Sequence, residues 1–170
     1  TMLMFIRTDV NITPQMLQKA LSSDVKDSLN MVSVDRDTST NDTLCIMASG
    51  EAGNALIDRT DTEYKKFCRA LHEVTTAMCK KIAADGEGAT KLIECTVRGA
   101  KSKQVARTVA KSVVCSNLLK AAIFGADANW GRVLCAIGYS GAAVDVNKIG
   151  VAFVSAAGKI EVCEDGRGID

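Results

Sequence analysis

At 170 residues, 47% of them hydrophobic, the chain suits one medium domain, or two small subdomains sharing a core. Lys plus Arg number 21 against 20 Asp plus Glu, so a net charge of +1 offers no basic face to nucleic acid. No apolar run approaches the roughly 18–20 residues that span a bilayer. Seven scattered cysteines, none in a C-x-x-C pair, read as reduced, buried thiols of a cytoplasmic protein. A single histidine and no clustered thiols argue against a metal centre.

The chain opens on Thr1-Met2-Leu3-Met4-Phe5-Ile6 without a polar leader. Apolar residues fall on both sides of this run, which predicts a strand buried on both faces. Thr13 before Pro14 reads as a helix N-cap and first turn. Met16, Leu17, Ala20 and Leu21 supply the apolar stripe, and the helix runs out near Ser22-Ser23-Asp24. Residues 35–43 contain no hydrophobe, and their Asp, Asn, Ser and Thr side chains predict a structured loop. Short strands are expected on either side, at residues 31–34 and 44–48. Residues 49–54 read as a flexible connector.

Tyr64, Phe67, Cys68, Leu71, Val74, Met78 and Ile82 recur at three- and four-residue spacing. They predict a helix over 62–84, capped by Asp61 and stopped by Gly86 at its C′ position. Residues 92–98 alternate as a strand, and 102–117 read as another helix with Val105, Val109 and Val113 inward. On that helix Lys103, Arg107 and Lys111 repeat at four-residue spacing. An anion-binding stripe competes there with a solvated outer face, and the solvated face is the better reading. A short helix is expected over 133–137. Strands at 149–154 and 160–163 follow, joined through Ala157-Gly158-Lys159. The end, residues 165–170, looks like an interruption more than a finish. The fold class expected is α/β, with mixed sheets packed against helices and a subdomain boundary near residues 85–100.

Two places carry candidate chemistry. An N-terminal threonine joins a hydroxyl nucleophile to an α-amine whose reference pKa, about 7.7–8.0, lets it act as base. The competing reading of Thr1 is an accident of trimming. His72, the single histidine, lies inside a helix pattern, so a histidine-based nucleophile device is disfavoured and the amine is the economical base. The second place is Gly86-Glu87-Gly88, where two glycines leave the backbone open and a carboxylate stands at a helix C-terminus against the dipole. Glu87 there is suited to a substrate ammonium group. An ordinary helix-ending turn is the alternative. The phosphate-loop pattern G-x-x-x-x-G-K-[ST] is absent, and residues 35–43 lack calcium-loop spacing.

Four motifs, in order, resemble one family: Thr1-Met2-Leu3, Asp37-Thr38-Ser39-Thr40-Asn41-Asp42-Thr43, Asp85-Gly86-Glu87-Gly88-Ala89-Thr90-Lys91, and Gly125-Ala126-Asp127-Ala128-Asn129-Trp130-Gly131-Arg132. They look like the β chain of ornithine acetyltransferase, also called glutamate N-acetyltransferase, of arginine biosynthesis. The resemblance covers nearly the whole chain. It implies a precursor that cuts itself before a threonine, here Thr1, which becomes the nucleophile. It implies an acetyl-threonine intermediate, N-acetylornithine as donor and glutamate as acceptor in a ping-pong cycle, with Glu87 contacting the amino-acid substrate. Acetyl-CoA is an additional donor in some members. No metal or organic cofactor is implied. The α chain of the same precursor would supply the oxyanion hole, a Thr-Gly pair, within an α2β2 heterotetramer. Family β chains also run past residue 170, and that last stretch carries further substrate contacts. An N-terminal-nucleophile amidohydrolase, sharing Thr1 but releasing acetate to water, is the competing enzyme reading. A non-catalytic binding protein is the third.

Overall fold

A computed structural model of the chain describes residues 2–169. It contains five strands, β1 (Leu3–Thr8), β2 (Thr43–Ala48), β3 (Val151–Ser155), β4 (Gly158–Glu164) and β5 (Arg167–Gly168). Among them stand five α-helices, α1 (Pro14–Asp24), α2 (Thr62–Ala84), α3 (Lys103–Val114), α4 (Asn117–Phe124) and α5 (Trp130–Gly138). The chain divides into two compact units, Thr1–Asp85 and Gly86–Asp170. Each has its own apolar core, where the composition had allowed a shared one.

In the first unit β1 and β2 pair in parallel, Leu3 opposite Thr43 through Thr8 opposite Ala48. The crossover contains α1, whose start follows the expected chemistry: Pro14 is the first helical residue and Thr13 Oγ1 accepts from the Met16 amide. The helix α2 has the expected bounds, with Asp61 Oδ1 accepting from the Tyr64 amide. Met16, Ala20, Tyr64 and Leu71 join Ile12 and Ile57 in the core, with Ile6 and Ile46 packed against them. This covers one face of the sheet only. Met4 is 6% exposed, but Leu3 and Phe5 are each 63% exposed, as is much of Met47. The strand expected to be buried on both faces is therefore half-covered, because the helices of its unit pack on a single side.

Three local expectations fail here. Residues 31–34 form no strand; a 3-10 turn at Leu29–Met31 precedes an irregular run. Val74, expected in the stripe of α2, is 49% exposed, and Thr75 is buried in its place. The Thr75 hydroxyl donates to the Leu71 carbonyl, so burial costs it no partner. The connector at 49–54 is tied down, not flexible. The Asn11 amide donates to Asn54 Oδ1 (2.9 Å), and Asn54 Nδ2 donates back to the Asn11 carbonyl (3.1 Å).

The second unit packs Val109 and Val113 of α3 against Leu119, Val133, Ala136 and Ile137. One expected helix over 102–117 is two: α3 ends at Val114, and Ser116 Oγ accepts from the Leu119 amide to start α4. The helix over 133–137 begins earlier, at Trp130, because Asn129 Oδ1 accepts from the Arg132 amide. Residues 92–98 form no strand among the described residues, although burial alternates as expected, with Ile93, Cys95 and Val97 half-buried. The antiparallel sheet runs β3-β4-β5. Its first hairpin pairs Ser155 with Gly158, so the turn is Ala156-Ala157, one residue earlier than expected. The final segment folds back as a second hairpin. Asp165 (φ 45°) and Gly166 (φ 73°) both take left-handed backbone, the geometry of a tight two-residue turn.

Candidate functional site

Thr1 lies outside the described residues. The backbone next to it is held from both sides. The Met2 amide donates to Asp42 Oδ1 at 2.8 Å, and the Thr43 amide donates to the Met2 carbonyl at 2.8 Å. Both partners come from the polar stretch 35–43. That stretch is ordered by its own side chains: Asp35 Oδ1 accepts from the Asp37 amide, Ser39 Oγ from the Asn41 amide, and the Thr43 hydroxyl donates to the Asn41 carbonyl. Such Asx and Ser turns are what the composition predicted. The pinning of Met2 across 40 residues was not predicted.

Glu87 belongs to the second unit, where it is exposed on a turn closed by Ala89 donating to the Gly86 carbonyl (2.9 Å). Gly86 was expected to carry the left-handed conformation that ends α2. Gly86 does not take it; Gly88, in the turn that follows the helix, is left-handed at φ 68°, and a Cβ there would meet nothing within 4 Å. The turn therefore needs glycine for its backbone and leaves open space beside Glu87. Lys91, three residues past Gly88, donates from Nζ to the Phe124 carbonyl (2.8 Å) and stands 6.0 Å from that ring's centre.

The motif at 125–132 proves architectural within this chain. The Ala126 amide donates to Ile123 and the Asp127 amide to Ala122, which closes α4 with a Schellman cap. Its left-handed residue is Ala126 (φ 61°), not the preceding glycine. Lys91 takes a carbonyl of the last turn of α4. Asn129 Nδ2 donates to Asp127 Oδ2 while its Oδ1 caps α5. The corner between α4 and α5 is thus fastened to the segment that carries Glu87.

His72 is engaged structurally. Its Nδ1 is 2.7 Å from Asp24 Oδ1, and Asp24 Oδ2 also accepts from the Ser28 hydroxyl at 2.9 Å. The carboxylate, not the imidazole, is the centre of this cluster, so it is not a nucleophile triad. Burial, and then the charge of Asp24, push the Cys79 thiol up; burial alone pushes up Cys95. Such thiols are poor nucleophiles. All seven cysteines are free. Lys103 is exposed, while Arg107 and Lys111 are half-buried. Among the described residues no cluster of three or more His, Cys, Asp or Glu could hold a metal, and no helix is long and apolar enough to cross a membrane.

These features define an α/β protein of two units, with one small parallel sheet and one small antiparallel sheet where mixed sheets were expected, a first strand whose preceding residue is tied down, and an exposed carboxylate on a glycine turn. The chain belongs to the ArgJ family, whose model matches residues 1–170. It is 54% identical over its whole length to the arginine biosynthesis bifunctional protein ArgJ 1 of Clostridium acetobutylicum. It is 51% identical, again over its whole length, to the arginine biosynthesis bifunctional protein ArgJ of Thermotoga neapolitana. It spans 42% and 43% of the lengths of these two relatives. The crystal structure of the arginine biosynthesis bifunctional protein ArgJ from Bacillus halodurans superposes with a TM-score of 0.92 at 45% identity, over 99% of this chain and 78% of that one.

Proposed function

We propose that this chain is the nucleophile-bearing part of an acetyltransferase of arginine biosynthesis, moving acetyl from N-acetylornithine to glutamate. The observation that carries the reading is the match to the ArgJ family along all 170 residues, with relatives named for arginine biosynthesis. The two-sided grip on Met2 supports it, because acyl transfer needs a nucleophile held in one orientation.

Thr1 Oγ attacks the acetyl carbonyl carbon of the donor. The Oγ–C bond forms, the amide C–N bond breaks, and the hydroxyl proton travels by way of the α-amine to the departing ornithine nitrogen. The acetyl ester remains on Thr1. Glutamate's amine then attacks the ester; the N–C bond forms, the C–Oγ bond breaks, and the proton returns to Oγ. Negative charge on the acetyl oxygen is met by an oxyanion hole from the α chain of the same precursor, in an α2β2 assembly. Glu87 contacts the amino-acid substrate from its open turn. The covalent ester needs no metal or organic cofactor, and acetyl-CoA serves as an additional donor. Seven free thiols suit a reducing cytoplasm.

The test is incubation of the complete processed enzyme with N-acetylornithine. N-acetylglutamate should form only when glutamate is present, and mass spectrometry should find one acetyl group on Thr1. Equal ornithine release with and without glutamate would mean hydrolysis, and an unmodified Thr1 would exclude the covalent route. Glu87→Ala should raise KM for the amino acids; an unchanged KM removes Glu87 from the site.

A further inference from the structure

We propose that Asp42 is a positioning residue for the nucleophile: its carboxylate fixes the peptide link through which Thr1 joins β1. The inference rests on the acetyltransferase reading above and assigns a role to a residue which that mechanism does not use.

A chain terminus frays unless something ties it down. Regular pairing in this sheet begins only at Leu3 opposite Thr43. Met2 precedes it, yet both of its backbone polar groups are engaged, the amide by Asp42 Oδ1 and the carbonyl by the Thr43 amide, each at 2.8 Å. The amide bond is the one that bears on residue 1. The Met2 nitrogen is joined to the preceding carbonyl carbon by a planar link. An acceptor placed on that N–H therefore sets the tilt of the whole peptide plane. An N–H donating to a carboxylate is a charge-assisted bond, stronger than a neutral one. Asp42 is presented by a loop with several internal side-chain ties, so the acceptor is itself anchored. The carboxylate is exposed in this chain, where water competes for it. Its value is accordingly in orientation, and the loss of orientation should appear in the rate of attack on the acetyl group, not in the binding of the donor.

The test uses the complete processed enzyme carrying Asp42→Ala or Asp42→Asn. Asparagine keeps an acceptor oxygen at the same reach and drops the charge. Displacing a nucleophile by about 1 Å can cost on the order of 10²-fold, so Asp42→Ala should slow the acetyl-enzyme burst by about 10- to 100-fold. Its dissociation constant for N-acetylornithine, read from the concentration dependence of the burst rate, should stay within about twofold, since ground-state binding is untouched. Asp42→Asn should recover most of the burst rate. Asp42→Ser, which cannot reach Met2, substitutes if the alanine variant does not fold. A wild-type burst rate in Asp42→Ala, a weakened dissociation constant for N-acetylornithine with the maximal burst rate intact, or an asparagine variant as slow as alanine would each overturn the proposal. If wild-type enzyme itself forms no acetyl-Thr1, the acetyltransferase reading fails. If it forms the adduct and Asp42→Ala matches it, only the role of Asp42 fails.

Discussion

Removing His72 should destabilise the first unit more than removing His72 and Asp24 together. The Asp24 side chain is 6% exposed and the His72 ring 49%, so the two partners stand in different solvents. His72→Ala leaves a buried carboxylate with the Ser28 hydroxyl as its remaining side-chain donor. Losing a charged hydrogen bond in that setting costs about 1.5–3 kcal/mol. Asp24→Ala leaves a half-exposed imidazole that water can satisfy. It also removes a negative charge from the last turn of α1, where the dipole disfavours it by about 0.3–1 kcal/mol. Asp24→Ala should therefore cost about 1 kcal/mol, and the double variant should be more stable than His72→Ala alone. The assay is urea denaturation followed by circular dichroism. With a slope of about 1–3 kcal/mol per molar, His72→Ala should lower the midpoint by about 1 M. A double variant whose loss equals or exceeds the sum of the two singles would refute the reasoning, because the carboxylate would then not be the group stranded by the imidazole's removal.

Three further predictions test other parts of the fold. Gly166→Ala would bring a Cβ to 2.3 Å from the Val146 carbonyl oxygen at a φ of 73°. The left-handed backbone alone costs about 1–2 kcal/mol and the overpacking about 1–3 more, so calorimetry should find a markedly lowered Tm. Ala126→Gly relieves a left-handed alanine and should raise stability by up to about 1 kcal/mol, read from the same melts. The Tyr64 phenol is pushed up to about 12 from 10.0, by burial first and then by Cys68. Between those values the unfolded chain has released this proton and the folded chain has not. Stability should thus be intact below pH 10 and fall progressively as pH rises toward 12; Tyr64→Phe should flatten that limb in pH-jump unfolding.

What could be read beforehand was local. The bounds of α2 follow from an aspartate cap and a 3.6-residue repeat, both visible within one window. The Thr13-Pro14 start of α1 is the same kind of signal. Pairing between distant segments was not visible. Residues 92–98 alternate like a strand, but alternation does not supply a neighbouring ladder. Residues 31–34 look like a strand by composition and turn out irregular. The Asp165-Gly166 turn was missed although Asp-Gly is a strong hairpin signal, because a two-residue return strand is too short to show periodicity. Of the site, the openness of the Glu87 turn was legible from its glycines, though not which glycine takes the left-handed backbone. The bond from Met2 to Asp42 joins residues 40 apart, and nothing in either stretch announces the other.

The half-covered sheet of the first unit has a bearing on how such a chain can be handled and how it survives in a cell. Leu3, Phe5 and Met47 share one side of β1 and β2, and among the described residues this two-stranded sheet has no third strand along either edge. An apolar stripe beside open backbone is a template for strand addition between identical copies. Produced alone, the chain should therefore self-associate and draw chaperones and proteases. Charges placed at Leu3 and Met47 should improve the yield of the chain produced alone.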